Sequence, residues 1–473
     1  MTDKQRPSFL RVLGRFDVFA LAFGAMIGWG WVVLTNGWIA AGGAGGAMAA
    51  FLIGGAIVLL VGLTYAELTS AMPKVGGEHV YSFRGLGVTA SFICTWAIVL
   101  GYVSVVAFEA VALPTVLEHL GPGYSRGRLW TVAGWEVKAT WALVGVAGSV
   151  GVGAINYWGV RPAARLQMLL VGALALSGGA LIAGAIVSPP APPNSIAPLF
   201  RAGAGGVLAV LVATPFMFVG FDVIPQAAEE IRLPFRTIGR VLLLSVALAV
   251  GWYVLIIFAV ARSLDSETLA TSQVAAADAM AAVFGSPWAG KLLVMGGVAG
   301  ILTSWNSFYI GATRAIYAMA HARMLPEFLA RLHPRHRTPS NAILLVGALS
   351  CIAPFFGRPM LVWLVDAGGL GITIAWTFVA LSFLELRRRE PNMPRPFRAP
   401  CGRAVGWTAV VLSLAMISLF VLPMSPSSLI EAEWAILIGW SALGALFYGH
   451  ALRRHGIGTM RRRMQETLDA PEG

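Results

Sequence analysis

Cysteine is nearly missing from this chain, with three in 473 residues. Cys94 and Cys351 fall in apolar runs and Cys401 in a basic loop. That excludes a disulfide framework and a cysteine metal site, and it speaks against redox chemistry. Charge is scarce as well. Asp, Glu, Lys and Arg make up 12% of the residues, against roughly 25% in an ordinary soluble domain, while 57% are hydrophobic. The hydrophobicity is spread along the whole length, so a soluble enzyme with one anchor does not fit, and no polar segment is large enough for a second domain. No His, Cys and carboxylate cluster has the spacing of a metal site or an activated nucleophile. Neither an enzyme nor a cofactor is expected. What remains is a polytopic membrane protein of one domain.

Acidic residues are the scarcer charge, 22 against 34 Lys and Arg. In a soluble protein a net charge of +12 suggests nucleic acid; in a membrane protein it first poses a question of sidedness. Twelve apolar runs can be placed, at 16–40, 46–70, 88–118, 139–157, 166–188, 205–228, 239–261, 288–316, 339–356, 360–386, 405–424 and 433–452. Most approach the roughly 20 residues that cross a 30 Å hydrocarbon core, and the long third and eighth do so tilted. On these spans 26 of the basic residues fall on one side and 7 on the other, with Arg314 inside a span near its end. The basic side is cytoplasmic by the positive-inside rule. Both termini are therefore expected in the cytoplasm, the chain is multi-pass in the cytoplasmic (cell inner) membrane, and nucleic acid is not a partner.

The expected organisation is a retained basic tail over 1–15, without a small-residue cleavage site, and a ten-helix core over 16–390. A Pro-rich linker over 391–404, a peripheral helix pair over 405–452 and a cytoplasmic tail over 453–473 follow. Between the seventh and eighth spans, residues 262–287 read as one or two short capped helices on the outer face.

Two spans are disturbed. The first contains Gly24, Gly28 and Gly30, each costing a helix about 0.8–1 kcal/mol relative to Ala, and any backbone group freed in lipid needs a new partner. The sixth holds Thr214-Pro215-Phe216-Met217-Phe218-Val219-Gly220-Phe221-Asp222, a proline, a glycine and a carboxylate within nine residues. Interrupted helices at matching places in two five-span halves, 16–188 and 205–386, point to an inverted-repeat transporter with a midplane site.

On these residues the chain resembles a bacterial member of the amino acid, polyamine and organocation (APC) superfamily of secondary transporters. Gly24-Ala25-Met26-Ile27-Gly28-Trp29-Gly30 is similar to that family's first-helix glycine motif. Tyr65-Ala66-Glu67-Leu68 with Gly76-Gly77, Phe218 to Asp222 with Ala228-Glu229-Glu230-Ile231, Thr313 to Ala320, and Pro394 to Pro400 match further segments in the same order. The resemblance implies an all-α, leucine-transporter-like 5+5 inverted repeat with helices 1 and 6 broken at the substrate site. It also implies proton coupling or exchange. Two departures stand out: Trp29 replaces a small or hydroxyl residue, so that either its ring points away or the pocket is reshaped. The stretch Met168 to Leu176 is wholly apolar where some proton-coupled relatives carry a lysine.

The candidate substrate residues are Ile27, Gly28, Trp29, Gly30 and Trp31 in the first span and Phe218, Gly220, Phe221 and Asp222 in the sixth. Amide N–H groups at the start of the outer half of helix 1 suit a carboxylate, and carbonyls freed in helix 6 suit an ammonium group. Ionisable groups inside a membrane are costly, which makes Glu109 and Asp222 candidates for coupling; for Asp222 the alternative is a cap on residues 223–226. Ser304, Asn306 and Ser307 form a polar patch in span 8 that serves either ion coupling or helix packing. Glu67, Glu229 and Glu230 read as ion pairs with Arg84, Arg232 and Arg236. The expected function is alternating-access transport of amino acids or related amines, coupled to protons or a counter-substrate. A polyamine or amino-alcohol transporter of the same fold is the alternative, and a membrane receptor or channel-like subunit the alternative of another class.

Overall fold

Among the described residues, ten helices are long and apolar enough to cross a membrane. The other two expected spans are cut short. The sixth is divided into Gly203–Leu211, Thr214–Phe218 and Val223–Gln226, and the ninth runs as Ser340–Ile352 with a 3-10 extension, Ala353–Phe356. The computed structural model describes residues 9, 11–121, 123–189, 198–272, 274–425 and 428–469. Most of the expected N-terminal tail lies outside them.

Proline and glycine explain the cuts. Pro215 sits in the first turn of its short helix, where its missing N–H is not needed, so a new helical segment starts there. Between spans 1 and 2 the backbone turns at Gly43, with φ 74°. The first span therefore comprises Arg15–Ile27, Gly30–Val33 and the turns from Thr35 to that bend.

Each five-span half begins with a broken helix, and the first span packs on spans 5, 7 and 8. Two short helices, Ser266–Thr271 and Ala275–Phe284, follow span 7, as expected of residues 262–287. Asp265 caps the first by accepting from the amides of Glu267 and Thr268. The sequence reading did not foresee the antiparallel hairpin Arg128–Val132 with Trp135–Lys138 before span 4. It is too short and too polar at its ends to stand out between two helices. The last span continues as one helix, Glu431–Asp469, kinked at Gly456, and Met460 and Met464 are buried beyond the kink.

The ion pairs of Glu67, Arg84 and Glu230 use other partners than sequence proximity suggested. Glu67 receives Arg387 and, at 3.0 Å, Arg395, which ties the linker between spans 10 and 11 to span 2. Glu230 pairs with Arg314 at 2.8 Å, Arg84 with Glu390 at 2.6 Å, and Glu229 accepts from the Val75 amide. Neighbours in sequence point along different helix faces, so the partners come from elements distant in the chain, 84 residues away for Glu230 and Arg314 and 306 for Arg84 and Glu390.

Candidate functional site

The first break is made by Gly28, whose φ of 42° and ψ of −140° suit glycine alone. The regular ladder ends as the Gly28 amide donates to Gly24 and resumes as Val32 donates to Trp29. The freed carbonyls find side chains: Tyr253 donates to Met26 at 2.7 Å and Trp31 to Gly28 at 3.2 Å. From Gly30 the ladder continues through Leu34 to Trp38, so a second half-helix begins at the break.

The second break centres on Gly220, with φ 133°. A Cβ there would lie 2.6 Å from the Ala25 Cβ and 2.9 Å from the Met26 amide nitrogen. The two breaks are thus in direct contact, and a side chain on Gly220 would force them apart. Asp222 accepts from the Gly220 amide at 3.0 Å and from the Trp376 indole at 3.5 Å. It makes no side-chain cap on Val223–Gln226.

Beside the breaks lies a cavity of about 20 Å³, room for roughly one water. Ile27, Gly28, Trp29 and Gly30 line it, as do Glu109 and Ser304, all drawn from the sequence-based candidates. A Cβ on Gly28 would meet Ser304 Oγ at 3.3 Å and Glu109 Oε1 at 3.5 Å, so helices 1, 3 and 8 converge at this glycine. The other wall is apolar: Val105, Phe108, Phe216, Met217 and Phe308, with Tyr253. Glu109 is buried, and its Oε2 has no hydrogen-bond partner among the described residues.

Trp29 settles into helix 8. A Cβ added to Gly297 would lie 1.8 Å from Trp29 Cζ3, so the indole occupies a notch that only glycine leaves open. Other candidates are not on the cavity wall. Trp31 packs edge-on against Trp252, and Phe218 packs edge-on against Phe51 and Tyr253. Phe221 lies between Tyr65 and Trp376, while Gly220 and Asp222 lie behind the break. Val105, Phe108 and Phe308 escaped the sequence reading, although Val105 and Phe308 stand one helical turn from Glu109 and Ser304 and Phe108 directly precedes Glu109. For Tyr253, on span 7, nothing local gave a signal.

Asn306 and Ser307 belong to a separate buried network. Ser307 donates to the Leu21 carbonyl at 2.9 Å, and Gln167 donates to Ser307 and to the Ala20 carbonyl at 3.0 and 3.1 Å. Asn306 donates to Gln167 Oε1 and accepts from Asn156, both at 3.0 Å. Gln167 immediately precedes the apolar stretch read from the sequence. A neutral amide, with both donors used, thus joins spans 1, 5 and 8.

Residues 13–443 match the family model described as Amino acid permease. The chain belongs to the amino acid permease family. The permease is 27% identical over 462 residues to the branched-chain amino acid permease BcaP of Bacillus subtilis, covering 95% of this chain and 94% of that one. It is 26% identical over 474 residues to the methylthioribose transporter of the same organism, covering 96% of each. With the mouse cationic amino acid transporter 4 it shares 28% over 426 residues, 86% of this chain and 64% of that one. The permease is therefore a multi-pass membrane transporter whose broken helices frame a common cavity.

Proposed function

We propose that the permease carries amino acids with uncharged, apolar side chains across the cytoplasmic membrane by alternating access, with both termini cytoplasmic. The observation that supports this most is the seating of the Gly220 break on Ala25 and Met26, just before the Gly28 break, beside a cavity with one carboxylate, the hydroxyls of Ser304 and Tyr253 and a largely apolar wall. The unpartnered Glu109 Oε2 receives the substrate ammonium group. The half-helix that begins at Gly30 presents the favourable end of its dipole to the substrate carboxylate. Val105, Phe108, Phe216 and Phe308 take the side chain. The wall holds one acidic residue, so the second ammonium of a polyamine finds no partner and would be costly to bury. The small cavity describes a closed form, and its walls separate to admit and release substrate, as alternating access requires.

Counterflow of labelled amino acids in proteoliposomes tests the reading. Saturable exchange, inhibited by aliphatic amino acids and lost in Gly28→Leu, is the expected result. Equal competition by a diamine would refute the assigned substrate class.

A further inference from the structure

Near this site are two buried carboxyl groups that the substrate reading does not use, Glu78 and Asp222, brought into one neighbourhood because Gln226, one helical turn after Asp222, donates to Glu78. Glu78 opens the short helix Glu78–Leu86 after the glycine turn, and Asp222 stands at the break of span 6; both are fully buried. Gln226 donates to Glu78 Oε2, and Tyr102 donates to Oε1 at 3.4 Å. Asp222 takes the Gly220 amide and the Trp376 indole. Neither carboxyl makes an ion pair with a Lys or Arg among the described residues.

The surrounding groups supply no counter-charge. From helix 2 comes Tyr65, and from helix 3 come Cys94 and Tyr102, each electrostatically in range of Glu78. His79 bonds Ser91 and Thr95 instead, and burial pushes its imidazole down to about 3, so it is neutral. The buried Tyr65 hydroxyl and Gln226 Oε1 have no hydrogen-bond partners among the described residues. Four donors hold one anion comfortably, but two anions side by side in a low-dielectric interior repel too strongly for both to ionise. Burial, and then the neighbouring Asp222, push the Glu78 carboxyl well above the ordinary carboxylate range.

We propose that Glu78 and Asp222 form a proton-binding site, sharing one proton in the closed form and giving it to the cytoplasm when the inner side opens. The proposal rests on the amino acid transport reading and adds the coupled ion to it. Three contacts link the pair to gating. A Cβ on Gly77, next to Glu78, would lie 2.9 Å from Pro225 Cβ in the inner half of span 6. Tyr102, which holds Glu78, packs at 5.6 Å on Phe308 of the cavity wall. Asp222 is fastened to the same Gly220 that touches helix 1. Separating span 6 from helices 1 and 2 on the inner side therefore exposes the pair to water, where a lone carboxyl releases its proton. The alternative junction of spans 1, 5 and 8 is built from the neutral amides of Gln167 and Asn306 and the Ser307 hydroxyl, which do not carry one.

The test is transport by the full-length protein in proteoliposomes under a one-unit pH gradient, acid outside, with a neutral aliphatic amino acid as the probe. One coupled proton supports about tenfold accumulation. Glu78→Gln should keep counterflow but level at a ratio of about one. Undiminished accumulation in that variant overturns the proposal. If Glu78→Gln does not fold, Tyr102→Phe decides: removing one hydrogen bond from Glu78 should shift the pH midpoint of accumulation with counterflow intact, and an unmoved midpoint overturns it. Wild-type protein that exchanges amino acids without proton movement refutes the proton site alone. Wild-type protein with no amino acid counterflow refutes both readings.

Discussion

Replacing Gly297 with Ala tests the placement of Trp29 most directly. The added methyl carbon would lie 1.8 Å from Trp29 Cζ3, whereas ordinary contact begins at 3.4 Å, so ring and helix must part by about 1.6 Å. Relief through the fully buried Trp29 ring, which also lines the cavity, pushes it toward the substrate. Overpacking of this kind costs about 1–3 kcal/mol, while alanine gains a helix about 1 kcal/mol over glycine. An overlap this deep puts the cost at the upper end of that range, about 2 kcal/mol net of the helix gain, lowering the apparent affinity in counterflow by about 30-fold if the whole cost falls on the substrate-competent form. A shorter ring should remove the overlap: Gly297→Ala with Trp29→Phe is expected to recover most of the loss. Unaltered counterflow in Gly297→Ala, or no recovery in the pair, would show that the indole does not occupy this notch.

Three further outcomes follow from the same packing. Gly220→Ala forces a methyl onto Ala25 at a positive φ, so transport should vanish; wild-type uptake at matched expression contradicts the contact between the breaks. Breaking the buried Arg314–Glu230 pair with Arg314→Gln leaves an uncompensated carboxylate, which costs about 3–5 kcal/mol. The melting midpoint in detergent should drop accordingly, and an unchanged midpoint argues against the pair. In the loop after span 7, the Thr268 amide and hydroxyl and the Glu267 amide hold the Asp265 carboxyl below its ordinary value. Its capping contribution is present above the ordinary carboxylate range and lost as the pH falls through the depressed value. Amide exchange over Ser266–Thr271 should accelerate there in wild type and not in Asp265→Asn, which caps without titrating.

Much of the candidate site's local geometry was legible in the chain because its cause is local. Gly28 and Gly220 mark breaks through their own backbone freedom, Pro215 restarts a helix wherever it stands, and a carboxyl at Glu109 or Asp222 is conspicuous in an apolar run. Runs of apolar residues and one-sided Lys and Arg likewise outline a twelve-span membrane protein with no reference to packing. Pairing is another matter. That Glu67 meets Arg387 and Arg395, that Trp29 fits over Gly297, and that Gln167 closes a network with Asn306 and Ser307 all depend on which helix faces meet. The same holds for Glu78 and Asp222, 144 positions apart, which read separately as a loop acid and a helix-break acid. Composition and periodicity state what each segment prefers on its own. Burial without a counter-charge exists only after the helices assemble, and that was decided by the tertiary structure.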